Sequence, residues 1–407
     1  MRVKGFLAAS FLSTVGDMLL VFSLPTGIGK ETGEMSSAVV FWLIPAVAVF
    51  VASFLGKFIK KRSGNARFDY SKLLIVIAMI EIGIAILTFH YKEPSIVLGL
   101  SCLFVFLYAF TKEGVTRLFY NVAVYRFFCT PQEFSSLAGK KGGLDVLGGV
   151  VGIALASYLV DTNSWRYALI ADAFTFVIIA MVIAAFGQDP KLEAELATDA
   201  SEGDKPLLQG ISITPEDIKL IKYVLTGIAC LHAVNALYAN YQPLINEKLN
   251  LISAGTSIIL IAFLRTPGAA CGLFVSQVTK IVPQQMIIKY FPILHLMLSL
   301  SFILFPHILT MGLVIVSGGV GVGIYIPTSI NLLNKFSIAA IVDINVLISR
   351  WLGIFQAFAC LVAMILFSSG DVPLLKLGMW MVLLSLLSLI IVPFHKKYFD
   401  SLERGHE

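Results

Sequence analysis

Apolar residues run along this chain in blocks of roughly 20 to 30, each long enough to cross a hydrocarbon core of about 30 Å as a helix. The pattern predicts twelve spans, at about residues 5–27, 37–58, 71–91, 96–126, 132–160, 165–187, 217–243, 253–279, 284–305, 308–334, 340–368 and 372–395. Two capping boxes with proline at the first helical position support this division. Thr130-Pro131-Gln132-Glu133 opens the fifth span, and Thr214-Pro215-Glu216-Asp217 opens the seventh. The expected fold class is an all-α membrane protein, with twelve transmembrane helices in two six-helix, pseudo-symmetric bundles.

Composition narrows the classes further. The 407 residues are 57% hydrophobic and 14% charged, and the mean hydropathy is +0.87. Soluble domains carry about 25% charged residues, so this chain needs the bilayer as its solvent. Cys102, Cys129, Cys230, Cys271 and Cys360 form no CxxC pair and read as small buried hydrophobes rather than a disulfide or metal framework. No phosphate-binding loop of the GxxxxGK[ST] type occurs, and no cofactor is expected. Arg2 and Lys4 precede the first apolar run as in a signal peptide. Asp17 interrupts that run, however, and no clear cleavage site follows, so it is read as a retained first helix.

The net charge of +5 is an orientation signal. With both termini cytoplasmic, the inner loops and ends hold eighteen basic residues, Lys57, Lys60, Lys61, Arg62, Arg67, Lys280, Lys335, Lys396 and Lys397 among them. The outer loops hold four: Lys30, Lys92, Arg166 and Lys248. The positive-inside rule therefore places both ends in the cytoplasm, in a multi-pass protein of the inner membrane. No nucleic-acid partner is needed to explain the basic excess.

The longest polar segment, about residues 188–216, reads as a cytoplasmic linker, rich in Glu and Asp. It divides the chain into a bundle over 1–187 and a second bundle with a short tail over 217–407. Two six-helix halves joined by a long inner loop resemble the major facilitator superfamily. Gly16-Asp17, Leu24-Pro25, Trp165-Arg166-Tyr167 and Ala171-Asp172-Ala173-Phe174 resemble its branch of drug and siderophore exporters. Where the superfamily has Gly-x-x-x-Asp-Arg-x-Gly-Arg, this chain reads Gly56-Lys57-Phe58-Ile59-Lys60-Lys61-Arg62-Ser63-Gly64, with Lys60 at the acidic position. A narrower likeness joins Lys141-Gly142-Gly143-Leu144-Asp145-Val146, with Glu113-Gly114-Val115 and Arg117 before it, to ATP/ADP antiporters. The first resemblance implies transport by rocking one half against the other around a midplane site. The second implies an anionic solute.

Ionised groups at membrane depth cost at least about 2.5 to 3.5 kcal/mol each on insertion scales, so those present should face one another or a polar interior. Asp17, Glu81, Glu113 and Asp145 are the acids at such positions, and they are the candidates for proton or ion coupling. Lys112, Arg117, Lys141, Arg265 and Arg350, with the neutral Asn235, are the candidates for holding substrate. Glu113/Arg117 and Lys141/Asp145 have the (i, i+4) spacing of same-face pairs. Pairing them leaves Lys112, Arg265 and Arg350 to face a phosphate or carboxylate, unless Asp17 or Glu81 takes them. Tyr108, Tyr120 and Tyr238 are candidate stacking residues. The glycine pairs Gly148/Gly152 and Gly319/Gly323 have the spacing that lets two helix backbones approach.

These residues describe a secondary transporter, not an enzyme. It would act as a monomer on a small organic solute, a phosphorylated or polycarboxylate metabolite, with protons or a counter-substrate as partner. A proton-driven exporter of drugs or a siderophore is the alternative; a lipid flippase or a polytopic membrane enzyme ranks behind both. Excess cations in the interior favour the first reading, and an interior dominated by Asp17 and Glu81 favours the second.

Overall fold

A computed structural model describes residues 2–32, 35–59, 66–116, 128, 134–187, 246, 252–273, 293–294, 296–301, 303–304, 338–367, 379–387 and 389. Among the described residues every regular element is helical. In chain order these are α1 (Arg2–Thr32), α2 (Met35–Ile59), α3 (Ala66–His90), α4 (Pro94–Tyr108) running into a π-helical segment (Ala109–Thr116), α5 (Phe134–Asp161), α6 (Tyr167–Phe186), α7 (Ala254–Leu273) and α8 (Ile338–Phe367). Five of the described helices are long and apolar enough to cross a membrane by length and composition. Their outer faces carry large apolar side chains open to the surroundings, such as Met79, Ile86, Tyr158 and Phe174, as a lipid-facing surface requires.

The helices begin and end for local reasons. α4 starts with Pro94 at its first position, where a missing N–H costs nothing, after an extended Glu93. α5 ends in a Schellman turn. Asn163 adopts a left-handed φ of 54°, Ser164 N–H donates to Leu159 O at 2.7 Å, and Asn163 N–H donates to Val160 O at 3.2 Å. That turn sends the chain straight back into α6.

The fourth span departs from expectation. A continuous α-helix was expected over 96–126, but the α-helix stops at Tyr108 and widens into the π-helical segment. Thr111 Oγ1 donates to Leu107 O at 2.6 Å and to Tyr108 O at 3.1 Å, occupying carbonyls that an α-helical turn would use. Such widened turns concentrate at functional sites.

α1 is the central strut of the first bundle, packed against α5 and α6. Its contact with α5 depends on Gly148 and Gly152, the pair with close-approach spacing. A methyl group on Gly148 would sit 2.9 Å from the Phe11 carbonyl oxygen, and one on Gly152 would run into that of Val15. α3 packs against α6, and α2 against α4 and the π-helical segment. Between the two sets of helices, α5 meets α7 and α2 meets α8. Exchanging the sixfold sets turns spans 5 and 8 into spans 11 and 2, so the two seams are equivalent under the expected pseudo-symmetry.

Candidate functional site

The face of α1 that looks into the first bundle carries Ser10, Thr14 and Asp17, spaced at roughly helical period. This polar stripe organises two ionic groups. At one level Thr14 Oγ1 donates to Asp145 Oδ1 at 3.1 Å and Ser10 Oγ lies 3.4 Å from the same oxygen. Asp145 also forms an ion pair with Lys141 on its own helix, as the (i, i+4) spacing predicts.

One turn further, Asp17 forms an ion pair with Lys112 of the π-helical segment. Tyr108 completes the contact: its hydroxyl donates to Asp17 Oδ1 at 2.9 Å and accepts from Lys112 Nζ at 2.7 Å. The same hydroxyl lies 3.5 Å from Asp172 Oδ2 on α6. The Lys112 ammonium also rests against two aromatic rings, 5.0 Å from the centre of Tyr108 and 4.9 Å from that of Phe176. Asp172 is held by Thr175, whose Oγ1 lies 3.3 Å from its Oδ1, and by Gly16, which has no side chain to push it away.

Glu81 of α3 is the third acid. Its side chain is fully buried, as is that of Asp172, and it lies within electrostatic reach of Asp172, Lys112 and Asp17. Neither Glu81 oxygen has a hydrogen-bond partner among the described residues. Two carboxylates are both acceptors, so Glu81 and Asp172 can bond to each other only through a proton. Three carboxyl groups, from α1, α3 and α6, thus surround one ammonium and one phenol in the interior of the first bundle.

The sequence candidates divide accordingly. Asp17, Glu81 and Lys112 come together; Asp145 and Lys141 form the neighbouring group. Arg350 lies elsewhere, at the seam between α2 and α8. Its Nε donates to Ser53 Oγ at 3.1 Å, its Nη2 lies 3.5 Å from Ser53 O, and its guanidinium covers the Phe54 ring at 4.6 Å. Of the cations read as facing a solute unless Asp17 or Glu81 takes them, Lys112 pairs with Asp17 and Arg350 meets Ser53 and Phe54, groups that come from other helices. Glu113 lies in the π-helical segment and Arg265 on α7, but their side chains, and all of Arg117, Asn235, Tyr120, Tyr238, Gly319 and Gly323, lie outside the described residues. Asp172 was not among the candidates. Its signal was in the sequence, an acid inside an otherwise apolar twenty-residue helix, but it was read only as part of a likeness to exporters.

Residues 121–365 match the Major Facilitator Superfamily profile. No curated protein matches the sequence. Among solved structures, the chain is similar to a bacterial homologue of the iron transporter ferroportin in its outward-facing state, at 14% identity and a TM-score of 0.65, over 98% of this chain and 100% of that one. The inward-facing form of such a homologue also gives a TM-score of 0.65, at 13% identity over 96% and 97% of the two chains. The human organic anion transporter MFSD10 is similar at 14% identity and a TM-score of 0.61, over 95% of this chain and 99% of that one. At these identities the likeness concerns the fold.

Proposed function

Because this chain belongs to the major facilitator superfamily, and is a multi-pass membrane transporter by that membership, we propose that it is a proton-coupled secondary transporter of a small organic solute. The observation that carries the reading is the charge balance of this cluster among the described residues: Asp17, Glu81 and Asp172 against the ammonium of Lys112. Uncompensated carboxylates at membrane depth are too costly to persist, so the surplus must be met by a proton or by a cation. Protonation of one carboxyl would weaken the hold on Lys112, and a carrier that rocks between two states can use that change to couple proton flow to solute flow.

The same balance argues for exchange rather than for capture of an anion. Each described interior cation is engaged: Lys112 by Asp17, Lys141 by Asp145, Arg350 by Ser53. The proton-driven exporter is therefore favoured over the carrier of a phosphorylated or polycarboxylate metabolite. In this reading the protein sits in the inner membrane with both termini in the cytoplasm, as a monomer divided at 188–216.

Purified protein in liposomes tests the proposal. With an imposed pH gradient, fluxes of ethidium, citrate and a sugar phosphate are compared with fluxes at equal pH. Gradient-driven movement of at least one solute, accompanied by pH change inside the vesicles, is the expected result. Solute movement that ignores the gradient would refute proton coupling.

A further inference from the structure

The seat of the Lys112 ammonium is built for more than a structural lysine. We infer that it is the recognition site for an ammonium group on the transported solute, with Lys112 as a tethered occupant that the solute displaces. This rests on the transport reading above and names the solute's chemical class: an organic cation whose apolar body follows its charged head.

Three observations support it. The first is the composition of the seat. A carboxylate (Asp17), a phenol oxygen (Tyr108 at 2.7 Å) and an aromatic ring (Phe176 at 4.9 Å) surround Nζ. Those are the groups that bind alkylammonium ions, including quaternary ones that cannot donate hydrogen bonds. The second is the surplus of negative groups behind it. Glu81 is completely buried within reach of Lys112, beside an equally buried Asp172 to which it can bond only through a shared proton. Among the described residues one lysine faces three carboxyl groups, which leaves room in the charge balance for a second cation or a proton. The third is the backbone under Lys112. It lies in the π-helical segment Ala109–Thr116, and rewinding a π turn to an α turn rotates the residues that follow about the helix axis. Withdrawal of Lys112 therefore needs no break in the helix. The aromatic walls oppose a bare metal ion, which requires a shell of oxygen ligands, and no group of three metal-ligating side chains suited to one occurs among the described residues.

The test uses full-length protein in detergent at one fixed pH, with benzyltrimethylammonium as probe and phenylphosphate as its anionic counterpart. Lys112→Met keeps the unbranched chain and vacates the seat, so it should bind benzyltrimethylammonium roughly tenfold more tightly than the wild type. Asp17→Asn added to that variant should abolish the gain. In the wild type, a saturating amount of the probe should speed acetylation of Lys112, read by mass spectrometry, because the displaced amine becomes reachable; this arm needs no variant to fold. Equal probe affinity in Lys112→Met and wild type, unchanged Lys112 acetylation, or preference for phenylphosphate would each overturn the inference. Binding at fixed pH involves no gradient, so these outcomes are independent of whether the flux experiment finds proton coupling.

Discussion

The carboxylate of Asp161, at the end of α5, accepts the backbone N–H of Gly255 at 3.2 Å, at the start of α7. It therefore caps a helix that lies 94 residues further along the chain, beyond the segment separating the two sets of helices. Ser253 caps the same helix end from within, with Oγ accepting Thr256 N–H at 3.0 Å. The acid also faces the positive end of the helix dipole. Gly255 is what lets the carboxylate approach, since a side chain there would occupy its place. Asp161→Ala should lower the midpoint of thermal unfolding modestly, by the loss of about 1 kcal/mol typical of a cap. Gly255→Val should do more, because it forces the α5–α7 seam apart. Melting curves of purified variants give the comparison; a Gly255→Val protein as stable as wild type would contradict this account of the seam.

Arg166 ties three elements together. Its guanidinium meets the Glu31 carboxylate at 2.6 and 3.0 Å and donates from Nε to Thr88 O at 3.0 Å, while stacking over Trp165 at 4.5 Å. Arg166→Ala is expected to cost about 2 kcal/mol, between the values for an exposed and for a fully buried ion pair, because this one is partly sheltered. Arg166→Lys should recover little of it, because an ammonium cannot span two carboxylate oxygens and a carbonyl. Chemical or thermal denaturation in detergent distinguishes the two substitutions.

The glycines of α5 make a contrast within one turn. A methyl on Gly149 would meet nothing closer than Met18 Cγ at 3.7 Å, whereas one on Gly152 would collide with the α1 backbone. Gly149→Ala should therefore give folded protein in normal yield, and Gly152→Ala should reduce it severely. Size-exclusion profiles of membrane extracts would show the difference, and equal yields would remove the close-contact explanation.

Asp17 and Asp145 are both acids in contact with α1 or part of it, yet they should differ in function. Asp17→Asn weakens the hold on Lys112 inside the cluster with surplus carboxyl groups, and is expected to flatten the pH dependence of solute flux. Asp145→Asn alters a group already balanced by Lys141 and is expected to leave the shape of that dependence unchanged. Rates in liposomes across a pH series would decide, and a flattened profile in both variants would assign the effect to general disruption.

Arg350 offers a test of the second seam. Gly353, one turn along, lets α8 approach α2 so closely that a methyl would sit 2.9 Å from the Ala46 carbonyl oxygen. Arg350→Ala removes the hold on Ser53 and is expected to slow transport while leaving insertion intact. Normal rates in that variant would mean that this contact does not govern the movement of α2 against α8.

Which described stretches are helical and apolar, about where those helices start, and which residues could be near neighbours within one helix followed from the sequence. Lys141 with Asp145 and Gly148 with Gly152 are four residues apart, and the α-helical period alone brings such residues to one face. The cluster of Asp17, Glu81, Tyr108, Lys112 and Asp172 was not legible in the same way. Apart from Tyr108 and Lys112, which share one element, its members sit on different helices, Lys112 95 residues from Asp17. Whether they meet depends on the depth and rotation of each helix, and on the widened turn that carries Lys112. Hydropathy does not encode those quantities, because an apolar helix satisfies the bilayer at many rotations. They are set by which side chains and backbones can pack together, Gly16 against Asp172 and Gly152 against Val15, and that was decided only by the tertiary structure.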